Sequence, residues 1–153
     1  MFEEKAAALF RDLGESRIMV LATSADDAAT ARSMSVIIYS GRFYFQTDIA
    51  MTKAEQIAVN PRVALCFQNY QVEGMCRATG HPMDDHNRFF LELFKKHYEG
   101  SYKRYSHMPG ERVFEVIPDK VTVWNYENGE PCRDYYDFAE RRYRREVYDT
   151  VIV

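Results

Sequence analysis

The stretch TARSMSVIIYSGRFYFQTDIAMTKAEQIAVNPRVALCF, from Thr30 to Phe67, sets three strand-like runs around one short helical run. In Thr30 to Tyr39, successive side chains alternate between faces. Arg32, Met34, Val36 and Ile38 therefore share one side of a strand, and Ser33, Ser35 and Ile37 the other. Ser40-Gly41 is a two-residue hairpin signal leading into a second strand over Arg42 to Thr47. After a loop over Asp48 to Met51, Thr52 to Val59 has the length of a helix of about two turns. Asn60-Pro61 ends it, because the residue before a proline is pushed out of the helical region, and Arg62 to Gln68 resumes as strand.

The start of that helix supports two readings. Thr52-Lys53-Ala54-Glu55 fits a capping box, in which Thr52 accepts from the third backbone N–H and Glu55 reaches back. The same end suits an anion, since free N–H groups and the helix dipole favour a phosphate there and Lys53 adds a full charge. Arg32, on the neighbouring strand, offers a forked second cation. A guanidinium on an otherwise apolar face needs a partner, which is either a bound anion or an acid such as Glu55.

Upstream, Phe2, Ala6, Leu9, Phe10 and Leu13 fall on one helical face, and Gly14 is placed to end the helix. This segment carries early acids and has no continuous apolar core, so it does not read as a secretory signal. Arg17 to Thr23 is a strand, and Asp26-Asp27 marks a turn. Downstream, Gln71 to Gly80 is a strand with small residues at Gly74, Cys76, Ala78 and Gly80, closed by His81-Pro82. Asp84 to Tyr98 reads as an amphipathic helix with Asp84 as N-cap and Phe90, Leu93, Phe94 and His97 at core spacing. Gly100 to Gly110 reads as a loop. Glu111 to Ile117 and Lys120 to Tyr126 read as a strand pair joined at Pro118-Asp119, followed by a polar turn over Glu127 to Cys132. The tail from Asp134 to Val153 reads as a helix. No repeat or linker divides residues 1–153, and six short strands with inserted helices predict one α+β antiparallel barrel.

Composition narrows the function classes. Apolar residues make up 46% and aromatics 14%, a globular balance. A net charge of −3 argues against a general nucleic-acid binder, so the arginines and tyrosines of the tail read as a packing element. No apolar run approaches the roughly 20 residues of a membrane span. Cys66, Cys76 and Cys132 are an odd, widely spaced set, which reads as reduced thiols of a cytoplasmic protein. The four histidines have no metal-ligand spacing, and Asp84-Asp85 suits a helix start better than a catalytic pair. There is no GxSxG, P-loop or GxGxxG. Thr47 and Gln71 sit at strand ends, where they either meet a polar ring edge or face water. No side chain stands out as a general acid or base.

Four segments in this order resemble a known family: R-x-M-S-V (Arg32 to Val36), F-Y-F-Q-T-D (Phe43 to Asp48), T-K-A-E-Q-I (Thr52 to Ile57) and N-P-R-V-A-L-C-F (Asn60 to Phe67). They look like the pyridoxamine 5′-phosphate oxidase-related, FMN-binding split barrels, over roughly Ser16 to Gly80 and more weakly to Tyr126. The resemblance implies a six-stranded antiparallel split β-barrel with flanking helices, forming a homodimer with FMN at the interface. It implies that Arg32 and Lys53 contact the FMN phosphate, with Thr52 standing where the oxidases have arginine. Ser33, Met34, Ser35 and Val36 would line the isoalloxazine through their backbone, and Gln46, Thr47 and Gln71 would also meet it. The C-terminal RRYRREVYDTVIV does not match the segment that holds pyridoxal phosphate in the oxidases. The implied function is therefore a flavin-dependent oxidoreductase for another small molecule, with that molecule or NAD(P)H as reductant. The alternatives are a non-catalytic flavin-binding or flavin-sensing protein, or a barrel that has turned to a deazaflavin or to haem, with His81 or His107 as axial ligand.

Overall fold

Antiparallel strands joined by tight turns make up most of the protein, for which a computed structural model describes residues 1–148. The chain runs α1 (Phe2–Leu13), β1 (Ser16–Ala25), β2 (Ala28–Tyr39), β3 (Arg42–Asp48), α2 (Thr52–Val59), β4 (Arg62–Phe67) and β5 (Tyr70–Ala78). A single 3₁₀ turn over Asp85–Asn87 then leads to α3 (Arg88–His97), α4 (Glu99–Tyr105), β6 (Glu111–Glu127), β7 (Glu130–Asp137) and β8 (Arg142–Val147). Asp26-Asp27, Ser40-Gly41 and Asn128-Gly129 turn the chain with positive φ at both residues. Such a turn follows the right-handed twist of the flanking strands.

The strands lie in the order β3-β2-β1-β4-β5-β6, and β3 pairs with β6 to close a six-stranded barrel, as expected. β7 and β8 continue the sheet beyond β6. The split lies between β2 and β3, whose pairing covers only Ile37 to Tyr39 against Arg42 to Tyr44. β3 instead pairs with β6 from Phe43↔Val116 to Asp48↔Glu111. Ser33 to Val36 and Phe45 to Asp48 therefore diverge, and an opening forms between them.

Alternation fills the barrel. Val36 and Ile38 of β2, Phe43 and Phe45 of β3, and Phe114 and Val116 of β6 are buried in one cluster with Leu21, Leu65 and Val72. Phe45 and Phe114 stack with centroids 5.4 Å apart. Ala54 and Ile57 of α2 and Phe2, Leu9 and Leu13 of α1 join that core. The opposite parity gives Ile37, Tyr44 and Val113, which form a second cluster on the outer wall beneath Phe90 and Phe94 of α3. Burying each large apolar side chain contributes about 1.5–3 kcal/mol. No described helix is long and apolar enough to cross a membrane.

The structure departs from expectation at five places. Glu111–Glu127 is one 17-residue strand and not a pair joined at Pro118-Asp119. Pro118 is accommodated because the β5–β6 register shifts between Glu73 and Gly74, opposite Pro118, so the missing N–H falls at a bulge. Gly74 is needed there, since a Cβ would overlap the Ile117 carbonyl oxygen. Within the tail, Asp134 to Tyr148 forms the end of β7 and all of β8 and not a helix, while the last five residues lie outside the described residues. Cys132, Asp134 and Tyr136 are buried at alternate positions, which is strand periodicity. Cys132 thereby moves from the expected turn into β7, and all three cysteines are free thiols within strands. The presumed loop after Gly100 begins as α4, which follows α3 after a break at Tyr98 (φ −136°, ψ 53°). Asp84 is the N-cap residue of the 3₁₀ turn and not of α3, and its side chain caps neither; its Oδ2 accepts the His81 N–H at 2.9 Å.

Candidate functional site

The opening at the split is a cleft of about 280 Å³. β2 supplies Ser33, Met34 and Ser35, β3 supplies Gln46, Thr47 and Asp48, and α2 supplies Lys53. Phe94 of α3 and Ser101 and Tyr105 of α4 form the far wall, with Met51 and Glu111 completing it. Ser33 and Ser35 face outward because they alternate with Met34 and Val36, which point toward the barrel core. Gln46 is buried, and its Oε1 accepts the Ser106 Oγ–H at 2.8 Å, which ties the end of α4 to β3.

α2 spans the expected residues, but its N-cap is Met51, and no side chain caps it. The capping box does not form. The entry is set instead by Asp48, whose Oδ1 accepts the Ala50 N–H at 2.8 Å and whose carbonyl accepts the Met51 N–H at 3.1 Å. The Asp48 turn fixes the helix start, so Thr52 is left exposed and outside the cleft lining. The first N–H groups of the helix keep their capacity for an acceptor.

Arg32 stands opposite Leu21 in the β1–β2 ladder. Its Nη1 donates to Thr23 Oγ1 at 2.8 Å and to the Leu21 carbonyl at 3.2 Å, and its Nη2 donates to Thr30 Oγ1. Both threonine hydroxyls also donate to Gln56 Oε1 of α2, at 2.6 and 2.7 Å. Glu55 is exposed and takes no part, so the acid considered as a partner for Arg32 is not one. Among the described residues, neither Arg32 nor Lys53 forms an ion pair with an acid. Burial lowers the pKa of Arg32. Burial and then the nearby Arg32 charge lower that of Lys53, with Glu111 acting in the opposite direction. Two partly desolvated cations thus repel each other at the helix start, and an anion between them would relieve that cost.

Of the residues predicted for the site, Ser33, Met34, Ser35, Gln46, Thr47 and Lys53 meet in the cleft, with Arg32 beside Lys53. Val36 is buried in the barrel, and its carbonyl accepts the Tyr98 hydroxyl at 3.0 Å. Gln71 lies elsewhere. It follows Ser33 along one outward row through Val20 and Cys66, three strands away. At about 4.8 Å per strand that is about 14 Å along the sheet. The sequence reading missed Asp48, Met51, Phe94, Ser101, Tyr105 and Glu111. Parity along E-R-V-F-E-V does put Glu111, Val113 and Glu115 on one face, but the β3–β6 pairing that brings Glu111 to the cleft is long-range.

Glu115, on that same face of β6, accepts from Tyr44 Oη at 2.8 Å, Arg77 Nε at 3.0 Å and Arg42 Nη1 at 3.2 Å. Burial opposes its ionisation, but hydrogen bonds from Tyr44, Arg77 and Arg42 prevail and hold its pKa below the usual range. Burial and the Glu115 bond push Tyr44 up to about 12. His81 uses both ring nitrogens: Nδ1 accepts the Met83 N–H at 3.0 Å, and Nε2 lies 2.8 Å from the Met108 carbonyl.

The profile of the pyridoxamine 5′-phosphate oxidase family matches residues 2–125. No curated protein matches the chain. Solved structures do. A pyridoxamine 5′-phosphate oxidase-related, FMN-binding protein from Nostoc punctiforme aligns over 97% of this chain and 95% of its own, with TM-score 0.59 and 15% identity. PhzG from Burkholderia lata, solved with tetrahydrophenazine-1-carboxylic acid, aligns over 97% and 91%, with TM-score 0.64 and 12% identity. HutZ, the heme storage protein of Vibrio cholerae, aligns over 78% and 93%, with TM-score 0.63 and 12% identity. At these identities the structures share the fold, and their different ligands belong to each of them alone. The profile match, over a six-stranded antiparallel split barrel, places the chain in the pyridoxamine 5′-phosphate oxidase family.

Proposed function

We propose that this chain binds FMN in the cleft and works as a flavin-dependent oxidoreductase on a small molecule, as a homodimer with FMN at the subunit interface. The observation that carries the reading is the pair Arg32 and Lys53, two neighbouring cations at the start of α2, neither of which forms an ion pair with a described acid. A phosphate monoester, with close to two negative charges, fits that place. Arg32 and Lys53 would neutralise it, and the unpaired edge of β2 at Ser33 to Ser35 would meet the ring. Gln46 and Thr47 would address its polar rim. Bound FMN would supply the electron or hydride transfer, while the protein binds, orients and excludes water.

A second copy of the chain is supported by the outward face of β1. Ile18 is 54% and Val20 40% exposed, and Cys66 lies exposed beside them. Gln71 is too far along that face to reach this chain's own cleft, so its expected contact with the flavin would need the other subunit. An exposed free thiol also suits a reducing, cytoplasmic compartment. The unmatched C-terminal segment supports a substrate other than pyridoxamine phosphate. The engagement of both His81 nitrogens counts against that residue as a haem ligand.

The test is a visible absorption spectrum of the purified protein, followed by titration of FMN fluorescence. A flavin spectrum, or quenching on addition of FMN, supports the reading. Colourless protein that leaves FMN fluorescence unchanged overturns it, and a Soret band replaces it with haem. Bleaching of bound FMN by NADH or NADPH separates a catalyst from a flavin store.

A further inference from the structure

The cleft holds a group that neither the fold nor the phosphate site requires. Glu111 is 5% exposed and lines the cleft, yet its carboxylate receives no hydrogen bond and no ion pair from any described residue. Its oxygens are not sealed in the protein, since among the described residues only Arg133 Nε is a fully buried side-chain polar atom without a partner; the carboxylate opens on the cleft. Its surroundings nonetheless work against a charge there. Asp48 stands directly opposite it in the β3–β6 ladder, on the same face. Like charges in that position repel. Burial and then Asp48 raise its pKa, with Lys53 from α2 and His81, just beyond β5, acting in the opposite direction. Tyr105 of α4 lines the same cleft.

We propose that Glu111 is the proton-linked ligand residue of this cleft: when a phosphate-bearing ligand takes Lys53, Glu111 takes up a proton and faces the ligand as a neutral carboxylic acid. This rests on the FMN-binding reading above. The balance is simple. Before binding, Lys53 partly offsets the charge on Glu111. A phosphate then claims Lys53 and brings further negative charge into the same cleft. Glu111 is left between that anion and Asp48, where ionisation is strongly disfavoured. One proton from solvent on Glu111 removes the conflict and turns an acceptor into a donor. The new O–H faces the cleft, where a ligand carbonyl or ring nitrogen can accept it. The favoured ligands are thus phosphate monoesters that offer Glu111 an acceptor and not a positive charge.

The experiment is calorimetric titration of FMN into the full chain at about pH 7, in two buffers of different ionisation enthalpy, which counts protons taken up per FMN bound. Riboflavin, which lacks the phosphate, is titrated in parallel, and Glu111→Gln is the comparison protein. The expected result is net proton uptake with FMN in the wild type, lower by up to one proton in Glu111→Gln, with no such difference for riboflavin. An infrared difference spectrum of the wild type on adding FMN should show a new protonated-carboxyl band. That measurement decides the matter without the variant if the variant does not fold. Equal proton counts in both proteins, or no carboxyl band, overturn the inference while FMN binding stands. If FMN does not bind, both readings fall.

Discussion

Replacing Lys53 with methionine should move ligand affinity and protein stability in opposite directions. The substitution keeps most of the stem and removes the charge. If Lys53 donates to a phosphate, the loss is one charge-assisted hydrogen bond, about 1.5–3 kcal/mol. That corresponds to roughly 10- to 150-fold weaker FMN binding. Without ligand, Lys53 makes no ion pair, and burial and Arg32 outweigh Glu111 and disfavour its charge. A depressed lysine pKa means that the unfolded chain binds more protons than the folded one, so this group's contribution to stability improves as pH rises through the depressed value. Removing the charge should therefore leave the ligand-free melting temperature unchanged or higher. Lys53→Glu should weaken FMN further, because it adds repulsion at the phosphate, and that part should shrink in high salt. The assay is an FMN quenching titration at two salt concentrations, with thermal unfolding of the ligand-free proteins. Affinity within about twofold of wild type in folded Lys53→Met would refute the phosphate site. A lowered melting temperature with unchanged affinity would show Lys53 to be structural.

Other consequences can be checked by unfolding. Gly74→Ala forces a Cβ against the Ile117 carbonyl at the bulge, where backbone must shift, and should cost about 1–3 kcal/mol, read as a lower denaturant midpoint with unchanged slope. Glu115→Ala leaves the buried Tyr44 hydroxyl and two arginines without their acceptor and should cost about 2–3 kcal/mol, whereas Glu115→Gln retains an acceptor and should cost less; equal losses would mean that the bond to Tyr44 is unimportant. Glu115 and Asp134 both have lowered pKa values, Asp134 because bonds from Arg145, Tyr143 and Asn125 outweigh its burial. Their contribution is fully present above the unfolded carboxylate values of about 4 and is lost as pH falls through the lower folded values. Melting temperature should thus drop below about pH 4, and Asp134→Asn should flatten that drop while lowering the plateau.

The sequence reading reached furthest where the signal was local. The two-residue turn at Ser40-Gly41, the α2 limits at Thr52 and Val59, and the faces of β2 all follow from periodicity and backbone preference over a few residues. The capping box failed because Asp48, upstream of the motif, sets the turn into α2 and leaves Met51 as the cap. The tail failed because its arginines and tyrosines fit helix and strand spacing alike. The deciding partners, such as Arg145 donating to the buried Asp134, are visible only once β7 and β8 pair. Within the cleft, Lys53 was legible from the start of its own helix, and Ser33 to Ser35 from the family resemblance. Glu111 was not, since it reaches Asp48 only by a pairing across 63 positions in the numbering, from 48 to 111.

That same pairing closes the barrel, and this gives ligand binding a second meaning. Until β3 meets β6, Asp48 and Glu111 are apart, the split has no far wall, and a partly folded chain has no place for a cofactor. Forming the cleft and finishing the fold are one event. A ligand that binds only the finished form shifts the folding equilibrium by mass action, by about 2.7 kcal/mol at a hundred times its dissociation constant. Flavin fluorescence would then time the meeting of β3 and β6. A variant that slows the meeting of β3 and β6 should delay quenching without changing its final extent.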